Sequence, residues 1–159
     1  MRSFGAVGEW GVVWAAIGVA GAAFDHSRRG RWLRAAAVGP AAVGVNYVVK
    51  LAVRRPRPRL RRLPPLARAP SALSFPSAHA TSSMAAATAF GRVEPRTRLP
   101  LYALGGAICA TRPYLGLHYP SDVLAGAAIG IAIGALVPGV GERSLEERLI
   151  DLVARGERR

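Results

Sequence analysis

An arginine, a histidine and an aspartate fall together in TRPYLGLHYPSD, residues 111–122, between stretches that are otherwise apolar. His118 and Asp122 are four residues apart, and Pro120 suits the first turn of a helix. That spacing sets a carboxylate beside the imidazole, where it can fix the tautomer and leave the other ring nitrogen free to attack phosphorus. Three cations with no competing carboxylate beside them, Lys50, Arg57 and Arg112, can hold the nonbridging oxygens of a phosphate, the arginines through bidentate hydrogen bonds. His79 can protonate a departing oxygen, and Ser77 with the backbone amides that open the next helix can donate to the same anion. Phosphoryl transfer through a covalent histidine intermediate is the chemistry this set supports.

These residues are far apart in the chain, so the elements between them must bring them together. Apolar blocks run over residues 10–24, 35–53, 78–90, 99–110 and 123–140, rich in Ala and Gly and separated by short basic clusters. Between His26 and Ser121 the only acid is Glu94. This is a membrane pattern, although most blocks fall short of the roughly 20 residues that cross a bilayer core and the mean hydropathy is a modest +0.22. Small side chains let such helices pack closely in lipid. The expected fold is an all-α integral membrane bundle of about five transmembrane helices over residues 1–141, with an amphipathic C-terminal helix over 142–159. There Ser144 and Glu147 form a capping box, and Leu145, Leu149, Leu152 and Val153 share one face. If each block crosses once, the end of an even span and the start of the next odd span lie on one membrane face. All seven residues then meet on that face, and ionisable groups at membrane depth are functional candidates.

Arg2 ahead of an apolar stretch and GVAGAAF resembles a signal peptide, but Glu9 interrupts the approach and the next block is again apolar, so a retained first span is expected. Residues 54–70, RRPRPRLRRLPPLARAP, have too many prolines for a continuous helix and form a loop. Its arginines Arg54, Arg55, Arg59, Arg61, Arg62 and Arg68 suit anionic headgroups or a solvated orientation signal. With no interleaved aromatics for base stacking, they give no reason to expect nucleic acid. Cys109, the single cysteine, permits neither an intramolecular disulfide nor a thiol metal cluster and reads as a core residue. His26 reads as a loop residue, and Trp10, Trp14 and Trp32 as interface anchors. Basic clusters on both faces leave the orientation open, and the oligomeric state is open too. Taken singly, each site residue has a plainer reading: Asp122 as a helix-start acid, Arg112 as an interface marker, His79 as a core histidine, Lys50 as a snorkelling side chain. Their convergence favours catalysis.

Lys50 through Pro58 reads K-x6-R-P, Pro76 through His79 reads P-S-A-H, and Arg112 through Asp122 reads R-x5-H-x3-D. In this order they resemble the three signature motifs of the type 2 phosphatidic acid phosphatase superfamily, which includes membrane lipid phosphatases and the vanadium haloperoxidases. The resemblance implies a metal-independent phosphatase without a cofactor: Lys50, Arg57 and Arg112 for phosphate, Ser77 for a phosphate hydrogen bond, His79 as acid, His118 as nucleophile and Asp122 as its partner. Ala78 stands where the family usually has Gly, and Thr111 where it usually has Ser. Arg55 also precedes a proline, but only Arg57 has the family spacing from Lys50, so Arg55 is expected to be loop charge. LSFPSAHATSS and LGLHYPSDV are similar to small members that dephosphorylate a decaprenyl-linked 5-phosphoribose. The expected partners are therefore a lipid-linked phosphate and membrane lipids. Phosphatidic acid, phosphatidylglycerol phosphate and prenyl diphosphate stay open as substrates, and a nonenzymatic Arg-rich membrane binder is the alternative of another class.

Overall fold

The computed structural model describes residues 12–58, 69 and 71–141. The expected C-terminal amphipathic helix, Trp10 and the loop arginines Arg59, Arg61, Arg62 and Arg68 lie outside them. Among the described residues the regular elements are helical: α1 (Val12–Phe24), α2 (Arg29–Val53), α3 (Ala78–Val93), α4 (Arg98–Tyr114) and α5 (Pro120–Leu136). Single 3-10 turns, His26–Arg28 and Pro95–Thr97, lead into α2 and α4. Each apolar block of the sequence became one helix. Among the described residues only the segment His26–Val53 is long and apolar enough to cross a membrane by itself.

The order of packing follows from side-chain size. α3, AHATSSMAAATAFGRV, has small residues around its circumference, so α2, α4 and α5 all lie against it and α1 lies against α2. Ala80, Ala85, Ala86, Ala87, Ala89 and Phe90 of α3 are buried completely or nearly so. The approach of α5 is closest, through Gly126, Gly130 and Gly134, spaced by four. A Cβ at Gly126 would stand 2.6 Å from the Ser77 carbonyl oxygen, and one at Gly130 would overlap the Thr81 carbonyl oxygen. Because the obstacle is helix backbone, which cannot turn aside as a side chain can, Gly130→Ala should cost about 1–3 kcal/mol. Gly106 of α4 meets nothing within 4 Å, and Gly106→Ala should be neutral or slightly stabilising. Thermal denaturation in detergent checks the pair: a lowered midpoint is expected for Gly130→Ala alone.

Trp14 and Trp32 are not interface anchors. They are 3% and 8% exposed and pack on Phe90 of α3, with ring centroids 6.4 and 5.7 Å from it. Their polar ends are satisfied inside the protein: Trp14 Nε1 donates to Ser83 Oγ (3.2 Å) and Trp32 Nε1 to Asp25 Oδ2 (3.1 Å). Buried indoles in contact with an aromatic core gain more apolar contact than a headgroup layer offers. His26 is exposed in its 3-10 turn, as expected of a loop residue.

The basic clusters away from the polar motifs are also more than a charge pattern. Arg31 Nε donates to the Val140 carbonyl (2.9 Å), Arg34 Nε to Gly139 (3.1 Å), and Arg92 Nη1 to Gly134 and Val137 (2.9 and 2.8 Å). The last carbonyls of α5 and the turn after it, which helix geometry leaves without amide donors, are thereby capped by guanidinium groups. Arg28 ties the other helix ends together, pairing with Asp25 and with Glu94 (3.0 Å). This explains why α2 starts at Arg29 rather than at the first uninterrupted apolar residue near position 35: Arg31 is buried against partners from α3 and the chain after α5.

Candidate active site

Alternating helix directions bring the C-terminal ends of α2 and α4 and the N-terminal ends of α3 and α5 to the same end of the bundle. Lys50 is in the last turn of α2, Arg57 in the extended segment that follows, Ser77 and His79 at the start of α3, and Arg112 in the last turn of α4. His118 lies in the turn that leads to Asp122 in the first turn of α5. The turn depends on Gly116, whose φ of +71° ends α4 at low cost and sends the chain back across the bundle. Pro120 occupies the first turn of α5, as the sequence suggested.

The segment 71–77 forms the floor of the site. It runs antiparallel to residues 54–57, with a bridge between Pro56 and Leu73 and a Ser74 N–H bond to the Arg55 carbonyl (2.8 Å). The cations hold it by its carbonyls: Lys50 Nζ donates to Leu73 and Pro76 (3.2 and 3.0 Å), and Arg57 Nε to Ser71 (2.7 Å). The Ser77 amide donates to the Asp122 carbonyl (3.0 Å), which joins the starts of α3 and α5.

His118 is 5% exposed and held from both sides of its ring. Nδ1 lies 2.7 Å from the Ser74 carbonyl oxygen, and a carbonyl can only accept, so Nδ1 carries the proton. In the neutral ring Nε2 then has the lone pair, and Arg57 Nη1 donates to it at 3.2 Å. Burial, then the charges of Arg57 and Lys50, push the pKa of His118 down to about 4, against the opposing pull of the Ser74 carbonyl and Asp122. Burial likewise lowers the Arg57 guanidinium below its ordinary value, with Asp122 opposing.

Asp122 stands near His118 but is not its hydrogen-bond partner. Its Oδ2 is 3.8 Å from Nδ1, and the bond expected from the carboxylate is made by the Ser74 carbonyl. Oδ2 accepts the Tyr119 N–H (2.9 Å), so Asp122 also serves as a helix-start acid. Its Oδ1 accepts from Arg55 Nη1 at 2.9 Å. Arg55 is therefore not loose loop charge. Its guanidinium also lies 4.1 Å over the Tyr119 ring. A signal for it was present, since alternate residues of an extended chain share a side and Arg55 is two before Arg57. Ser74 acts through its backbone and left no such signal.

Among the described residues, two buried polar atoms at this end have no hydrogen-bond partner: Ser77 Oγ and His79 Nε2. Arg112, Arg57 and Lys50 are all close enough to His79 for their charges to act on it. Arg112 is 6% exposed, and its Nε donates to Thr111 Oγ1 (2.9 Å), whose hydroxyl in turn donates to the Ile108 carbonyl (2.6 Å). Thr111 thus supplies the hydroxyl that a serine would, and its extra methyl changes neither bond. Ala78 is helical and has no positive φ, so its methyl, in place of the glycine expected from the family motif, causes no backbone strain.

Comparison with known proteins places the chain in a family. Residues 31–145 match the PAP2 superfamily. The chain is 41% identical over 141 residues to decaprenylphosphoryl-5-phosphoribose phosphatase of Mycobacterium tuberculosis, covering 88% of this chain and 78% of that protein. It is 38% identical over 126 residues to the enzyme of the same name from Mycolicibacterium smegmatis, covering 79% and 68%. Among solved structures, a transmembrane PAP2-type phosphatidylglycerolphosphate phosphatase from Bacillus subtilis superposes with a TM-score of 0.62 at 28% identity, covering 84% of this chain and 70% of that one. With all three motifs assembled at one end of a helical bundle and the match running through every helix that carries them, the chain belongs to the PAP2 superfamily and is one of its lipid phosphatases.

Proposed function

We propose that this protein is a multi-pass membrane enzyme that hydrolyses the phosphate monoester of a lipid-linked substrate, of the decaprenylphosphoryl-5-phosphoribose type, through a phosphohistidine. The observation that carries the reading is the pair of unpartnered buried atoms, Ser77 Oγ and His79 Nε2, in the same site as three cations and the lone pair of His118 Nε2. Buried polar groups without partners are rare in folded proteins, and an anion with several acceptor oxygens would satisfy both. Lys50, Arg57 and Arg112 neutralise the phosphate, and Ser77 with the amides of the first turn of α3 adds neutral donors.

His118 Nε2 attacks phosphorus, forming the N–P bond as the P–O ester bond breaks, and His79 gives its proton to the departing oxygen. A water then attacks the phosphohistidine, His79 takes up a proton from it, the N–P bond breaks and inorganic phosphate leaves. The Ser74 carbonyl and Asp122 stabilise the charge that develops on the imidazole, since N-phosphorylation with Nδ1–H retained makes the ring cationic. Because the pKa of free His118 is pushed down to about 4, its nucleophilic form is present at neutral pH.

Helices of 16 or 17 residues, about 25 Å long, are short for a hydrocarbon core of about 30 Å, so α3, α4 and α5 would cross as a packed unit rather than as independent spans. The close contact of α5 with α3 supports that reading. Phosphate release from a panel of lipid phosphates tests the function. Turnover should be highest on a polyprenyl-linked phosphosugar, above phosphatidic acid, phosphatidylglycerol phosphate and prenyl diphosphate, and unaffected by EDTA. The reason for the last expectation is that side-chain cations stand where magnesium stands in other phosphoryl-transfer sites, while the one carboxylate of the site already has both oxygens engaged. Release from none of the lipids, or a loss in EDTA that magnesium restores, would overturn it.

A further inference from the structure

Arg55 has no part in the chemistry above, yet it is joined to both groups that face His118 Nδ1. Its backbone carbonyl accepts the Ser74 amide (2.8 Å) and the Ser74 hydroxyl (3.3 Å), and the Ser74 carbonyl is the partner of Nδ1. Its side chain donates through Nη1 to Asp122 Oδ1 and to Ser121 Oγ, each at 2.9 Å, while the guanidinium stacks on Tyr119. Three fixed points on one planar group leave it little freedom to turn. Asp122 is completely buried, so its charge requires compensation, and Arg55 is the cation that touches it.

We infer that Arg55 is a positioning residue: it holds the Asp122 carboxylate back from His118, so that the Ser74 carbonyl orients the imidazole and the carboxylate acts on it only as a nearby charge. The inference rests on His118 being the nucleophile. Without Arg55, Oδ1 loses its partner, and a rotation about the Asp122 side chain would bring a carboxylate oxygen to Nδ1 in place of the carbonyl. An ionic partner favours the imidazolium, and the loss of a neighbouring cation acts in the same direction. Protonation consumes the Nε2 lone pair. The other charged or titratable groups of the site are Lys50 from α2, Arg57 from the segment after it, His79 from α3 and Arg112 from α4, and all of them remain in the variant.

The test is the pH profile of kcat/KM for one lipid phosphate, whose own ionisation is common to every variant. In Arg55→Gln the acid-side break that belongs to the enzyme should move to higher pH, by about one unit. At neutral pH the ring stays unprotonated, and any loss of turnover there, up to about 100-fold, reflects its changed orientation. Arg55→Lys keeps a cation at the carboxylate, so its break should return to the wild-type position even though the forked contact and the stacking are lost. A damaged but correctly poised site would lower the rate at every pH without moving the break. An unmoved break in Arg55→Gln, or one displaced as far in Arg55→Lys, overturns the inference. If the glutamine variant does not fold, the lysine variant against wild type decides: a coincident break is expected, and a displaced one overturns it. His118→Ala separates the two levels. An inactive alanine variant together with an unmoved Arg55→Gln profile sinks this inference alone, whereas full turnover in the alanine variant sinks the nucleophile and this inference with it.

Discussion

His118→Ala is expected to abolish phosphate release, with a loss of about a thousandfold or more, while the protein remains in the membrane and folded. No other proposed group bonds to phosphorus, so nothing in the site replaces the missing Nε2. The structural cost is that the Ser74 carbonyl loses its donor, Arg57 Nη1 loses one of its two acceptors and a small cavity opens at the end of the bundle, together about 1–3 kcal/mol. A second measurement isolates the covalent step. Wild-type protein quenched during turnover of labelled substrate should retain label in a bond that survives alkali and is lost in acid, as a phosphoramidate is. The alanine variant should retain none. Label in the alanine variant, or turnover near that of wild type, would remove His118 from the mechanism.

How much of this site could be read in the sequence depended on whether the information was local. Pro120 and Asp122 open α5 where a proline and an acid favour a helix start, and the polar residues gather at one end because successive helices alternate in direction. Both follow from spacing along the chain. The role of the tryptophans did not, because Trp14 and Trp32 look like interface residues until Phe90, far along the chain, is placed against them. The start of α2 was misplaced for a similar reason: Arg31 is a poor residue for an apolar span, and only its carbonyl partners after α5 make it a core residue. The i, i+4 spacing does bring Asp122 within 3.8 Å of His118, but the atom that makes the bond to Nδ1 is a backbone carbonyl 44 residues earlier. Side-chain motifs report side chains, and this contact has none on the Ser74 side.

The same contacts show how two of the three cations, Lys50 and Arg57, can be kept together before substrate arrives. Lys50 and Arg57 donate to the carbonyls of Ser71, Leu73, Pro76 and Leu117, all in the turns that form the site. Carbonyl dipoles solvate the charges without neutralising them, so the field that attracts a phosphate dianion persists. Arg57 spends one donor on the lone pair of His118 Nε2, an atom that the proposed mechanism requires to be released for attack. A phosphate oxygen is the stronger acceptor for a guanidinium, so in the proposed mechanism binding the substrate would draw Arg57 from His118 Nε2 and expose it in the same step. The proposed mechanism therefore needs no separate base for His118.

His79 gives the most discriminating prediction, since it concerns the departing oxygen rather than phosphorus. A lipid-linked alkoxide or sugar alkoxide is a poor leaving group and needs a proton as the ester bond breaks, whereas p-nitrophenolate leaves readily without one. His79→Ala should therefore slow the lipid substrate by about 100-fold to 10,000-fold, the usual worth of a general acid, and slow p-nitrophenyl phosphate far less. Asp122→Asn supplies the control: it keeps the shape of the side chain but removes the charge that stabilises the phosphorylated imidazole, an effect that does not depend on what departs, so both substrates should slow alike. Single-turnover rates at saturating enzyme separate the chemical step from binding, which matters because His79 Nε2 lacks a partner among the described residues and would contact the phosphate itself. If His79→Ala slows both substrates equally with binding intact, the imidazole is not the acid, and its buried nitrogen is better explained as one more ligand to the phosphate.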